Sequence, residues 1–225
     1  MIVDCAGETL HLLPERAVWW PAQSALLVAD VHIGKAAAYR ALGQPVPAGT
    51  TARNLARLDA LVNRHRADRL IVLGDFVHAQ AALRSGTLDA LRAWRARTRA
   101  LSLTVIAGNH DRRAGPLPPD LAIASVADPL PMGSLSLSHV GLGPAGRYVL
   151  AGHRHPAWRL RGRGHESLRL PCFVFDAGGA LLPAFGEFTG GRTLAAKPGR
   201  RIYVIGAGEV WQVPSRSRGG PGVID

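Results

Sequence analysis

Leu103-Thr-Val-Ile-Ala-Gly-Asn-His-Asp111 decides the reading of this chain, because a short apolar run there reads as a buried strand that ends in the polar tetrad Gly108–Asp111. Open α/β sheets place their ligands just past the carboxyl ends of such strands. Asn109 offers an amide oxygen to a hard cation, His110 can give or take a proton, and Asp111 can orient that imidazole. Alone, the tetrad is equally an Asn/Asp-rich turn after a strand. Its meaning depends on what the other strands deliver.

Working outward, the pattern recurs. Ala25-Leu-Leu-Val-Ala29 reads as a central strand ending in Asp30-Val31-His32-Ile33-Gly34-Lys35, where Asp30 and His32 can point at one ion and Gly34 lets the backbone turn away. Leu70-Ile-Val-Leu73 stops at Gly74-Asp75-Phe76-Val77-His78. Ser134-Leu-Ser-Leu-Ser138 alternates strictly and ends at His139, and Tyr148-Val-Leu-Ala151 ends at Gly152-His153-Arg154-His155-Pro156. Five strands in order therefore deliver Asp30/His32, Asp75, Asn109/His110/Asp111, His139 and His153/His155 to one sheet edge. Two aspartates, one asparagine and four histidines make an O/N donor set that suits two divalent ions such as manganese or iron better than a thiolate site. One aspartate can bridge such a pair.

Between these strands the periodicity predicts two helices. The first starts at Thr50 or Thr51 and buries Leu55, Leu58, Leu61 and Val62, with Arg53, Arg57 and Arg64 on a solvated face and His65 exposed near its end. The second runs from about Gln80 to Ala100 with Leu88, Leu91 and Trp94 inward and Arg92, Arg95 and Arg99 outward. Residues 41–49, rich in Pro and Gly, form a loop placed to roof the site. Residues 10–13 and 17–20 read as a hairpin, with His11 an ordinary strand residue, and strands follow over Trp158–Arg161, Leu168–Phe175, Arg201–Ile205 and Val210–Val213. His165 reads as solvent-exposed, and Glu187 and Thr189, in Leu182-Pro-Ala-Phe-Gly-Glu-Phe-Thr-Gly-Gly191, read as turn residues. One domain over 1–213 is expected, with 214–225 a flexible tail.

Composition narrows the classes. The chain of 225 residues is 47% hydrophobic and 19% charged, which describes a globular protein rather than a disordered one. No apolar run is long enough to span a bilayer, and Met1–Cys5 lacks a basic region followed by an apolar stretch, so a cytoplasmic location and no membrane partner are expected. Cys5 and Cys172 are too few for a disulfide framework and read as buried thiols. The net charge of +11 comes almost wholly from arginine, since Lys35 and Lys197 are the only lysines. A basic surface concentrates polyanions such as nucleic acid, although an Ala/Arg/Gly/Pro-rich composition also arises from codon bias.

The series D-x-H, G-D, G-N-H-D, H and G-H-x-H, across residues 26–156, resembles the calcineurin-like metallophosphoesterase superfamily, with every expected position filled. Finer strings resemble its ligase-associated DNA damage response phosphoesterase/endonuclease subfamily: D-V-H-I-G-K, G-D-F-V-H, G-H-R-H-P, L-P-C-F-V-F and P-A-F-G-E-F-T-G-G. The resemblance implies a four-layer αββα sandwich of two mixed sheets flanked by helices. It implies Asp30, His32 and His155 as ligands of one metal, Asp75 as the bridge, and Asn109, His139 and His153 as ligands of the second. The ions implied are manganese, with iron or zinc as the other candidates. The resemblance further implies that the ions would supply an activated water to attack phosphorus, and that His110, with Asp111 fixing its tautomer, would protonate the leaving oxygen.

Arg154, His78, Lys35 and Arg112 are candidate substrate contacts, each balanced against an ordinary surface or loop role. Only 27 residues separate Asp111 from His139, and 13 separate His139 from His153, which leaves no room for a large lid. The expected function is a two-metal phosphodiesterase on nucleic acid, DNA above all. The alternatives are a phosphodiesterase or phosphatase for small or cyclic nucleotides, and a non-catalytic scaffold on the same fold. The subfamily resemblance adds an ATP-dependent DNA ligase and a helicase as functional partners.

Overall fold

The structure, a computed structural model, describes residues 1–83, 85–141, 143–144, 146–162 and 166–214. The expected tail beyond 214 and the expected exposure of His165 lie outside the described residues. A first sheet is built from β1 (Ile2–Cys5), β2 (Glu8–Leu13), β3 (Ala17–Trp20), β4 (Ala25–Val28), β5 (Arg69–Val72), β6 (Ser102–Ile106) and β7 (Ile123–Val126). They lie side by side in sequence order, antiparallel as far as β4 and parallel from β4 to β7. The expected hairpin is β2–β3. The edge strands β1 and β7 were not signalled by the sequence pattern.

Strand alternation explains how β4, β5 and β6 can be apolar throughout. Leu26, Val28, Leu70, Val72, Leu103 and Val105 face α2 (Thr50–His65) and α3 (Ser85–Arg97), meeting Leu55, Leu58, Leu61, Leu91 and Trp94. Ala25, Leu27, Ile71, Leu73 and Ile106 point the other way, against Leu135, Leu137, Leu150, Phe173 and Phe175 of a second sheet. Each such buried Leu, Ile or Phe contributes about 1.5–3 kcal/mol. The central strands are thereby clamped on both faces, and their carboxyl ends form one rigid edge.

The second sheet contains β8 (Leu130–Met132), β9 (Leu135–Ser138), β10 (Tyr148–Ala151), β11 (Pro156–Arg161), β12 (Ser167–Asp176), β13 (Gly179–Leu181) and β14 (Arg192–Thr193), in the order β14-β11-β12-β13-β10-β9-β8. Beside β12 lies β15 (Arg201–Gly206), which also pairs with β16 (Glu209–Gln212). The sheet is mixed, with β9, β10 and β13 parallel. The fold is thus the expected α/β sandwich of two mixed sheets, with one difference in its flanks. The helices all precede β7 in the chain, and among the described residues none covers the outer face of the second sheet. There a small cluster of Cys172, Val174, Ile202 and Val204 lies under Trp158, Leu170 and Leu194. The β9–β10 link, residues 139–147, is shorter than the roughly twelve residues a crossover helix needs.

Two helices depart from expectation. The stretch from Gln80 opens with a 3-10 turn over Gln80–Leu83 before α3, and α1 (Lys35–Ala41) begins directly after Gly34, where only a turn was expected. Arg95 does not face solvent with Arg92 and Arg99. It is 5% exposed and donates Nε to the Leu121 carbonyl at 2.8 Å and Nη1 to the Thr98 carbonyl at 2.9 Å, with longer bonds to Leu101 and Ala122. The carbonyls at a helix end and in the turns beyond it lack intrahelical donors, and one guanidinium serves several of them. Arg57 likewise leaves the solvated face: its guanidinium lies over the Phe185 ring, 3.9 Å from the centroid. His65 stacks on Trp19. Cys5 and Cys172 are buried free thiols, raised by that burial to about 11 and about 12. No helix among the described residues is long and apolar enough to cross a membrane.

Arg95→Ala orphans those buried carbonyls and should lower unfolding stability by about 3 kcal/mol in urea titration, whereas Arg99→Ala, at an exposed position, should stay within about 0.5 kcal/mol. Equal effects would contradict the buried role of Arg95.

Candidate metal centre

Past their strand ends, the loops after β4 and β5 remain zipped together. Asp30 N donates to the Gly74 carbonyl at 3.1 Å, His32 N to the Asp75 carbonyl at 2.9 Å and Ile33 N to the Phe76 carbonyl at 2.8 Å. To turn both side chains of D-x-H to one side, the backbone goes left-handed, with φ of 53° at Asp30, 49° at His32 and 51° at Asp75. His153 and His155 repeat the device at 67° and 44°. Each such non-glycine residue costs about 1–3 kcal/mol and persists only where the surroundings dictate it. Five together mark a site. Two glycines permit the approach of the loops: a Cβ on Gly74 would lie 2.1 Å from His139 Nδ1, and one on Gly108 would lie 2.3 Å from Asp75 Oδ1.

Three groups of donor atoms result, each able to hold a metal ion: Asp30 with His32 and His155, Asp75 with His139 and His153, and His32 with His78 and His110, the last of imidazoles alone and without a carboxylate. Within each, the donor atoms lie within 4.8 Å of one another. In the first, His155 Nε2 is 3.5 Å from Asp30 Oδ1, while buried His32 Nε2 has no hydrogen-bond partner and stands 4.0 Å from Asp75 Oδ2. In the second, His139 Nδ1 donates to the Leu73 carbonyl at 3.1 Å, so its neutral ring presents a lone pair at Nε2. That lone pair faces Asn109 Oδ1 at 3.0 Å, His153 Nδ1 at 3.0 Å and Asp75 Oδ1 at 3.5 Å. His153 Nδ1 can donate to that lone pair, but Asn109 Oδ1 and Asp75 Oδ1 can only accept, and acceptors facing acceptors repel unless a cation sits among them. The donor set and the orphaned His32 nitrogen therefore fit divalent ions. Asp75 lies between the first two groups, and burial pushes the His32 pKa down, keeping the ring in the neutral form a metal requires.

The histidine of the tetrad is held differently from expectation. His110 Nδ1 donates to the His78 carbonyl at 2.6 Å, leaving Nε2 as its free nitrogen, while its backbone N–H donates to Asp75 Oδ1 at 2.9 Å. Asp111 does not fix this tautomer. Its carboxylate accepts Gly108 N at 3.0 Å and Val77 N at 2.9 Å, tying the first turn of α4 (Asn109–Ala114) to the Asp75 loop. A carboxylate three residues into a helix turns naturally to the unpaired N–H groups behind it, and that choice removes it from the imidazole. His78 is more than a loop residue: its Nδ1 lies 3.3 Å from His32 Nδ1, and its ring stacks on His110 with centroids 4.7 Å apart.

Of the other candidates, Arg154 is exposed between His153 and His155, and Lys35 is half-buried near Asp30 and Asp75, its pKa lowered by burial against the pull of both carboxylates. Arg112 is engaged instead by the Ala107 carbonyl, at 2.6 Å. Tyr39 of α1, rather than the loop after it, meets His78, with Phe188 beyond. The segment 182–191 has a larger part than turn formation. Phe185 N donates to the Ala29 carbonyl at 2.8 Å and Gly186 N to the Asp30 carbonyl at 3.1 Å, while the Thr189 carbonyl accepts His155 Nδ1 at 3.2 Å. Buried Asn54 accepts Glu187 N at 3.2 Å, and Arg53 pairs with Glu187 at 2.7 Å. This support of Asp30 and His155 had no signal in periodicity; the cue was a Gly/Thr-rich string flanking a buried Phe.

The model of the calcineurin-like phosphoesterase family matches residues 24–166. Among solved structures, the nuclease MPE of Pseudomonas putida is 45% identical over 95% of this chain and 99% of its own, with a TM-score of 0.84. Yfce, a phosphoesterase from E. coli, is 14% identical over 85% of this chain and 99% of its own, with a TM-score of 0.42. No curated protein matches the chain significantly.

Gly108 has ordinary backbone angles, so alanine there is excluded only by contact with Asp75. Gly108→Ala should weaken manganese binding about tenfold or more in titration calorimetry, with far-UV circular dichroism unchanged. Wild-type affinity would show that Asp75 is not part of the binding group.

Proposed function

The chain belongs to the calcineurin-like phosphoesterase family and is a metal-dependent phosphoesterase; from that premise we propose a two-metal phosphodiesterase that hydrolyses nucleic acid, DNA above all. The observation that carries this reading is the pair of donor groups with Asp75 between them. Asp30, His32 and His155 would hold one cation and Asn109, His139 and His153 the other, with Asp75 placed between them. The oxygen-and-imidazole set suits manganese, with iron or zinc able to substitute. Such ions supply an acidified water as nucleophile and stabilise charge on the phosphoryl oxygens.

The protein's own groups do the remaining work. His78 holds His110 from both sides, through its carbonyl and its ring, so that His110 Nε2 is free to carry a proton to the leaving oxygen. Asp111 is a positioning residue: it fixes the start of α4, and with it both Asn109 and the His110 N–H that holds Asp75. Arg154, between two metal-binding histidines, and Lys35 are placed to meet substrate phosphates. A nucleic-acid substrate is supported by the 45%-identical neighbour, described as a nuclease, and by the net charge of +11. The subfamily strings support a role in DNA repair in company with an ATP-dependent DNA ligase and a helicase.

The test compares manganese-dependent cleavage of single-stranded DNA, duplex DNA and 2′,3′-cyclic nucleotides by wild type and Asp75→Asn. DNA cleavage that disappears in the variant is expected; activity on the small substrates alone would overturn the nuclease reading. His110→Ala should retain its manganese but cleave DNA about 10²-fold or more slowly. Bis-p-nitrophenyl phosphate, whose leaving group needs no proton, should be slowed far less; equal slowing of both would contradict the acid role.

A further inference from the structure

Beside the metal centre, on the outer face of the second sheet that no described helix covers, lies an open cleft of about 660 Å³. Its floor is made of small residues, among them Gly141, Ala151 and Gly179, and its wall is the segment from Arg192 to Arg200. Three of its borders adjoin the donor groups, two along the chain and one by a hydrogen bond. Val140 and Gly141 follow His139, Arg154 separates His153 from His155, and Arg192 N donates to the His155 carbonyl at 2.8 Å.

The charge of the cleft is one-sided. Asp176 is the single carboxylate in its lining, and Arg200 clamps it through Nε at 2.8 Å and Nη2 at 2.5 Å. Arg154, Arg192 and Lys197 are all exposed; Lys197 also lies in the field of Asp176, and neither Arg154 nor Arg192 has a carboxylate partner among the described residues. Elsewhere Arg53 is matched with Glu187, Arg64 with Glu15 and Arg92 with Asp120, while others, such as Arg69 and Arg99, are exposed without such a pair. What sets Arg154, Arg192 and Lys197 apart is their place along one cleft that begins beside the donor groups, an arrangement that fits a ligand with regularly spaced negative charge.

Resting on the nucleic-acid reading above, we propose that this cleft is the track for the sugar–phosphate backbone of the strand whose scissile phosphate lies at the donor groups. Arg154 meets the phosphate nearest the scissile bond, and Arg192 and Lys197 meet those farther along. The small floor residues leave room for the backbone, and a face that no described helix covers is open to an extended substrate.

The double variant Arg192→Glu/Lys197→Glu tests the track, since neither side chain belongs to the donor groups. On a labelled single-stranded oligonucleotide, KM should rise about tenfold or more, and the slope of log KM against log salt should fall by about 1.5, at roughly 0.7 per lost phosphate contact. Bis-p-nitrophenyl phosphate, too small to reach the track, should be hydrolysed at the wild-type rate, which also reports a folded centre. The milder Arg192→Gln/Lys197→Gln should show a smaller shift of the same kind. As a charge control, Arg69→Glu/Arg99→Glu, at the opposite end of the first sheet, should leave the oligonucleotide KM unchanged. Wild-type KM and salt slope in the cleft variant, with DNA cleavage intact, would overturn the track and spare the nuclease reading. Equal losses in the cleft variant and the control would reduce it to bulk charge. Absence of cleavage of any nucleic acid by wild type would overturn both.

Discussion

Two carboxylates with almost no access to water organise this protein. Asp30 is fully buried and Asp75 is 3% exposed; their ion-pair partners within 4.0 Å are histidines, and the half-buried Lys35 ammonium acts on both from farther away. A buried charge without compensation costs several kcal/mol. Backbone donors offset part of that: His153 N reaches Asp30 Oδ2 at 2.8 Å, and His110 N reaches Asp75 Oδ1 at 2.9 Å. Burial lowers the His32 and His153 pKa values, so those rings contribute lone pairs rather than charge, whereas against its own burial the bond to Asp30 raises His155. What remains is the demand for cations, and the left-handed backbone at five donor residues is strain held in place to create that demand. The double-sided packing of β4, β5 and β6 makes the strain affordable, because an edge clamped by helices and a second sheet cannot relax.

Much of this was legible in the sequence, and for a specific reason. Strands buried on both faces appear as short continuous apolar runs, so β4, β5 and β6 stood out, and a polar residue ending such a run has few structural purposes. The seven candidate donors come together, but from the strand ends of two packed sheets rather than from one sheet edge: Asp30, His32, Asp75 and Asn109 from the first, His139, His153 and His155 from the second. The features that stayed hidden depend on contacts between distant segments. Positive φ at a histidine leaves no mark in composition. Arg95 sits on the same helical stripe as solvated arginines, and only the carbonyls of Leu101 and Leu121 reveal that it turns inward. Asp111 follows His110 in sequence yet bonds Gly108 and Val77, because a helix starts there. The hold that 182–191 exerts on Asp30 and His155 spans more than a hundred residues of chain and one whole sheet for Asp30.

Asymmetry of the layers joins fold to function. Among the described residues, helices thicken only the first sheet, whose strand ends supply Asp30, His32, Asp75 and Asn109, and this is the side that needs rigidity. The second sheet supplies His139, His153 and His155 from short links, and no described helix covers its outer face beside them. A rigid set of carboxylates on one side and an open basic face on the other suit hydrolysis of a long polyanion better than capture of a small molecule in a closed pocket.

The central claim is that two cations are held on either side of Asp75. Anomalous diffraction at the manganese edge, from crystals grown with manganese, tests it most directly. The account predicts two peaks roughly 4 Å apart, one beside Asp30, His32 and His155 and one beside Asn109, His139 and His153, with Asp75 between them. A single peak, or one centred on the neighbouring trio His32, His78 and His110, would contradict it.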